Sequence, residues 1–188
     1  MGEIVRRLLP GVPWVDLEGY DGTQMLWISP TAPPDHELLH RLGASVGPGK
    51  LVAVSDVATG REGFVAVARE ARDTLHVLER LHPAGGAVTF RQAALLVTLL
   101  AEPDRARRFA EVILGPLSAR TDDAERMRTT LRAYFGCGGS KIAASSVLHL
   151  HEKTVAYRLR RATNLLGVSI DEHRLDLEAA LSVFAAMS

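Results

Sequence analysis

The stretch that most restricts what this chain can become is Lys153-Thr154-Val155-Ala156-Tyr157-Arg158-Leu159-Arg160-Arg161, near the C-terminus. Set on a helix at about 100° per residue, these residues separate onto two faces. Val155, Leu159, Ala162 and Leu166 recur at i, i+4, i+7 and i+11 and share one apolar stripe. Lys153, Tyr157, Arg160 and Arg161 lie roughly opposite, with Thr154 and Arg158 on the flanks. One side is fit to sit on a core. The other is basic, carries one aromatic ring, and is fit to meet phosphates and base edges.

A charged helix is by itself usually no more than a solvated face, so its context decides the reading. Gly136-Cys137-Gly138-Gly139 breaks the chain upstream, and Ser140 is placed to cap a short helix running to about Leu148. His149-Leu150-His151-Glu152 is then a short turn before the basic helix. A short helix, a tight turn and a second helix with a charged outer face make a helix-turn-helix, whose second helix enters the major groove of DNA.

Charge supports this only locally. The 188 residues carry 22 basic and 22 acidic side chains, so overall charge gives no hint of nucleic acid. Between Lys141 and Arg161, five basic residues stand against one acid, Glu152, which is a small footprint. The lone Cys137 forms no internal disulfide, which fits a reducing cytosol. The start, Met-Gly-Glu-Ile-Val-Arg-Arg, lacks the apolar run of a signal peptide. No apolar stretch approaches the ~20 residues that span a bilayer. The expectation is a soluble, cytoplasmic protein with no membrane partner.

Upstream, the pattern alternates between strand and helix. Residues 12–17 and 24–28 read as two strands around Gly19-Tyr20-Asp21-Gly22, with Val12, Trp14 or Val15, and Leu17 apolar in the first. Pro33-Pro34-Asp35 opens a short helix to about Leu42, and Leu51-Val52-Ala53-Val54-Ser55 is a buried-type strand. Residues 62–81 form a long helix with Phe64, Val67 or Ala68, Ala71, Leu75 and Leu78 on its stripe, ended by Pro83-Ala84-Gly85-Gly86. A strand at 87–90 and helices at 92–100 and 104–114 follow. The expected architecture is α+β, with helices packed on a mixed sheet. Farther on, Asp122 with Glu125 and Ser169 with Glu172 read as capping boxes. Met127, Leu131, Tyr134 and Phe135 stripe the first of these helices. Leu175, Leu177, Ala180, Leu181 and Phe184 make the last one apolar.

From Leu131 to Leu181 the chain resembles the C-terminal DNA-binding domain of PucR/CdaR-type bacterial transcription regulators. Leu131-Arg132-Ala133-Tyr134-Phe135, Gly138-Gly139-Ser140, Leu148-His149-Leu150-His151 and Thr154-Val155 carry the match. It continues through Tyr157-Arg158-Leu159-Arg160-Arg161, Leu165-Leu166-Gly167 and Arg174-Leu175-Asp176-Leu177. The upstream part is similar, more weakly, to the GGDEF-like domain of the same regulators, through Val54-Ser55, Gly60, Gly63-Phe64, Ala68-Arg69-Glu70-Ala71 and Leu114-Gly115-Pro116-Leu117. It looks truncated beside that family, as a short member or a fragment would. The division implied is a degenerate, non-catalytic GGDEF-like domain over 1–119 and an all-α helix-turn-helix domain over 120–188.

The resemblance implies a DNA-binding transcription regulator that reads the major groove through helix 152–166. It implies a homodimer on operator DNA with two half-sites, and a small-molecule effector of unspecified identity. Lys153, Thr154 and Tyr157 lie early in the helix, where base edges are reached; Arg158, Arg160 and Arg161 are placed to clamp phosphates. His151 is set to touch the backbone from the turn. The family commonly has His-Arg-Asn-Thr-Val-Arg-Tyr here, whereas this chain has His151-Glu152-Lys153-Thr154-Val155-Ala156-Tyr157. Glu152 and Ala156 each replace an arginine, Lys153 restores one charge, and Lys141 and Ser145 stand where apolar residues or Ala are usual. An altered sequence preference and weaker affinity are expected. The alternative is an interaction module derived from such a regulator that no longer binds DNA.

Other motifs carry less. His36-Glu37-Leu38-Leu39-His40 has zinc-protease spacing, but Val46 stands where the longer pattern wants a third ligand. A diguanylate cyclase would need paired carboxylates in the hairpin turn, and Glu18-Gly19-Tyr20-Asp21-Gly22 lacks them. His149 and His151 fit a phosphate-contacting turn more simply than a metal pair. Cys137 has no base near it in sequence. The expectation is no enzyme, no cofactor and no metal.

Overall fold

A computed structural model of the chain describes residues 2–18, 22–29, 38, 41, 45, 49–81 and 85–188. The chain divides into two compact units, 1–97 and 98–188.

In the first unit, helix α1 (Gly2–Leu8) precedes a hairpin of β1 (Trp14–Glu18) and β2 (Gln24–Ile28). The strands pair antiparallel, Trp14 opposite Ile28 and Glu18 opposite Gln24. Strand β3 (Leu51–Val54) leads through the long helix α2 (Gly60–Leu81) to β4 (Gly86–Thr89), which pairs parallel with β3. Parallel strands need such a crossover, and α2 packs on both of them. Thr74, Val77 and Leu78 are buried in α2. Phe64, on the same helix, stacks on Trp27 with ring centroids 3.6 Å apart. Helix α3 (Phe90–Leu100) follows.

The expected mixed sheet is not what the described residues form. They hold two separate two-stranded sheets, one antiparallel and one parallel. Strand positions follow from local alternation, but which strand joins which sheet is a long-range choice that alternation leaves open. The expected helix between Pro33 and Leu42 falls almost wholly outside the described residues, as do most of the His36–His40 motif and part of the hairpin turn at 19–21. Helix α1 carried no pattern long enough to announce it.

The second unit is helical. It contains α4 (Pro103–Leu114), a 3-10 turn (Gly115–Ser118), α5 (Asp122–Gly136), α6 (Lys141–Leu148), α7 (Glu152–Leu166) and α8 (Arg174–Ala186). Helix α4 packs along α8, while α5, α6 and α7 pack on one another. Met127, Leu131, Tyr134 and Phe135 are buried, as the helical spacing predicts. Two caps differ from expectation. Thr121, not Asp122, caps α5, its hydroxyl accepting from the Ala124 N–H at 3.3 Å. Helix α8 begins at Arg174, later than the Ser169–Glu172 box suggested, although Ser169 does accept from the Glu172 N–H at 3.4 Å. Leu175 lies 73% exposed; Leu177, Ala180, Leu181, Val183 and Ala186 bury the face of α8 instead.

Arg128 is nearly fully buried at the centre of this unit. Its guanidinium donates to the Leu117 carbonyl, to the Ala119 carbonyl at 2.8 Å and to Glu125 at 2.6 Å, and lies 4.4 Å from the Phe184 ring centroid. One side chain thus joins the 3-10 turn, α5 and α8. Burial alone would push the Glu125 carboxyl up. Hydrogen bonds from Arg128 and Thr129, with the charges of Arg128 and Arg132, hold it below its usual range.

Candidate nucleic-acid interface

The helix-turn-helix is built from a set of local turns and caps and one buried stripe. Helix α5 ends at Gly136. The chain then turns through Gly138 and Gly139, both at positive φ, where a side chain would be strained. Ser140 caps α6, its hydroxyl accepting from the Ala143 N–H at 3.2 Å. His149 ends α6 in the left-handed region at φ 52°, and the Leu150 N–H returns to the Ser145 carbonyl. His151 then caps α7 with Nδ1, which accepts from the Lys153 N–H at 3.1 Å. Gly167, at φ 69°, stops α7.

Val155, Leu159 and Ala162 of α7 are buried with Ala144 of α6, so the apolar stripe seats the helix. The opposite face is open. His151, Lys153, Arg160 and Arg161 are exposed, and Tyr157 is 52% exposed. Thr154 and Arg158 are half-buried on the flanks. Glu152 is exposed in the first turn, where an acid is favoured by the unpaired N–H groups of the helix start.

The seven expected contact residues are not equally available. Arg161 Nη2 lies 2.6 Å from Asp123 Oδ2 of α5. Arg158 Nη1 reaches Thr130 Oγ1, also on α5, at 3.5 Å. By contrast, Lys153, Tyr157 and Arg160 show no side-chain partner among the described residues. The structure therefore gathers His151, Lys153, Tyr157 and Arg160 into a ridge with no tie to α5, and ties Arg158 and Arg161 back to it.

Sequence reasoning did not find Asp123, Thr130, Arg128 or the capping role of His151. Glu125 and Arg128 stand three apart on one helix, a spacing that signals a pair. Asp123 and Arg161 are 38 residues apart, and nothing local joins them.

Two further ties fix α8 and the turn before it to α5. Tyr134 donates its hydroxyl to Asp171 at 3.0 Å, and Arg174 donates to the Phe135 carbonyl at 2.9 Å. Burial, then the bond to Asp171, pushes the Tyr134 phenol up and keeps it protonated as a donor. Among the described residues, no cluster of three His, Cys, Asp or Glu is placed to hold a metal. No helix among them is long and apolar enough to cross a membrane.

The family model for the PucR C-terminal helix-turn-helix domain matches residues 127–183, which span most of α5, both motif helices and most of α8. An uncharacterized protein in the pkwA 5′ region of Thermomonospora curvata is 32% identical over 150 residues, covering 79% of each chain. Among solved structures, a regulator of polyketide synthase expression from Bifidobacterium adolescentis is 21% identical. That match covers 96% of this chain and 71% of that one, with a TM-score of 0.38. With its helix-turn-helix matched across both motif helices and a relative shared over most of its length, this chain belongs to the family of PucR-type regulators.

Proposed function

We propose that the protein is a sequence-specific, double-stranded-DNA-binding transcription regulator that lays α7 in the major groove. The observation that carries this reading is the ridge His151, Lys153, Tyr157 and Arg160, open on one face of a helix whose other face is buried. Lys153, Thr154 and Tyr157 occupy the N-terminal part of α7, which faces base edges in a docked helix-turn-helix. His151, Arg158, Arg160 and Arg161 flank them as phosphate contacts, the two arginines tied to α5 being the weaker pair in the free protein. The protein acts as a cytoplasmic homodimer on an operator with two half-sites. Residues 1–119 form a degenerate GGDEF-like domain that catalyses nothing and relays a small-molecule effector signal. The β3–α2–β4 crossover is compatible with such a domain.

Selection of bound sequences from random duplex DNA, followed by sequencing, tests the proposal. A palindromic motif that is lost in Lys153→Ala/Arg160→Ala supports it. No enrichment at low salt refutes it and favours a second reading, a protein-interaction module. That reading draws on Glu152, on Ala156 and on the Asp123–Arg161 pair, which together thin the positive charge of α7. Salt-dependent retention on a DNA column separates the two, since counterion release belongs to DNA binding alone.

A further inference from the structure

The cap on the recognition helix is a histidine, although serine, aspartate or asparagine would serve a cap as well or better. A neutral imidazole has one acceptor nitrogen and one donor nitrogen. His151 Nδ1 accepts from the Lys153 N–H at 3.1 Å, so the ring proton must sit on Nε2. The His151 carbonyl also accepts, from the Thr154 N–H at 2.9 Å and the Val155 N–H at 3.3 Å, so the first turn of α7 closes on this one residue. The two ring nitrogens point to opposite flanks of the imidazole. With Nδ1 turned onto the helix, Nε2–H is directed away from it, on a side chain that is exposed. An ionised aspartate cap has no donor to present, and a serine hydroxyl, one bond from Cβ, falls short of where Nε2 stands.

We propose that His151 is a positioning residue that makes two bonds at once: Nδ1 closes the first turn of α7, and Nε2–H donates to a phosphate oxygen of the DNA backbone. This rests on the DNA-binding reading above and deepens it. The cap fixes the ring, the ring fixes the donor, and the phosphate contact then fixes the depth and register of α7 in the groove. Because its partner is a phosphate, its loss should weaken binding on all sequences alike.

The test combines nitrogen-15 NMR of the histidine rings in the free full chain with two variants. The expected tautomer at His151 is Nε2–H. His151→Ser keeps a cap acceptor and draws the donor back to a hydroxyl on Cβ, too short to reach where Nε2 stands. It should leave the Lys153 amide protected from exchange and the melting temperature unchanged. It should also weaken binding to specific and random duplexes roughly three- to ten-fold, the loss of about one hydrogen bond. His151→Ala should show the same weakening and, in addition, faster exchange of the Lys153 amide. An Nδ1–H tautomer overturns the proposal, as does a His151→Ser protein that binds DNA like the unaltered chain. If the unaltered chain binds no DNA, the DNA reading itself fails and takes the phosphate contact with it. The NMR result, obtained without DNA, tells that failure apart from a wrong assignment of the ring.

Discussion

Replacing Asp123 by Asn should strengthen DNA binding. In the free protein Arg161 Nη2 sits 2.6 Å from Asp123 Oδ2, with the two side chains 46% and 47% exposed. A pair that open to solvent is worth only ~0–1 kcal/mol. A DNA phosphate competing for Arg161 must displace Asp123, and the gain from removing the competitor is limited to the same range. Asp123→Asn should therefore tighten binding by up to about five-fold at low salt. It should also add about one neutralised phosphate, steepening the plot of log affinity against log salt by ~0.9. Fluorescence anisotropy with a labelled duplex over a salt series measures both quantities. Arg161→Ala completes the cycle: it should cost little in the natural background and restore the shallow slope in Asp123→Asn. An unchanged slope in Asp123→Asn, or an equal cost of Arg161→Ala in both backgrounds, would refute the idea that α5 withholds this arginine from DNA.

Three further outcomes are expected. Arg128→Met should destabilise the C-terminal unit by about 3 kcal/mol, because the Leu117 and Ala119 carbonyls lose a charged donor while Glu125 can be rehydrated. Calorimetry should show this as a melting temperature lower by more than ~10 °C, and an unchanged melt would sink the assignment of Arg128 as the tie. Gly167→Ala places a Cβ at φ 69° with nothing within 4 Å of it, so only backbone strain enters. It should cost ~1 kcal/mol by urea denaturation, with α7 otherwise intact. The Glu125 carboxyl is held below its usual range in the folded protein. Its contribution is therefore complete above the unfolded value of about 4.3 and is lost as pH falls through the lower folded value. Glu125→Gln should be less stable than the natural chain near neutrality. The two should converge in acid unfolding curves below about pH 4.

Much of the interface was legible in the chain because helical periodicity is a local property. Val155, Leu159 and Ala162 had to share a face, and with one face buried Lys153, Tyr157 and Arg160 had to point the other way. Ser140 and Gly167 marked their helix ends for reasons contained in single residues: a side-chain acceptor at one and freedom at positive φ at the other. The strand positions and the long helix α2 came from spacing in the same way. What the sequence left open lies between segments. Alternation places β1 to β4 but does not say that they pair as two separate sheets. Helix α4 reads as an isolated amphipathic segment, and only the tertiary structure lays it against α8. Thr121 and Asp122 are both good caps, and the entry geometry of the chain selects Thr121. The arginines show the limit most plainly. Long cationic side chains fit a solvated face, a phosphate or a distant carboxylate equally well, so their sequence positions define only where they start. Packing α7 onto α5 turned Arg161 to Asp123 and Arg158 to Thr130, and left Arg160 with the open ridge.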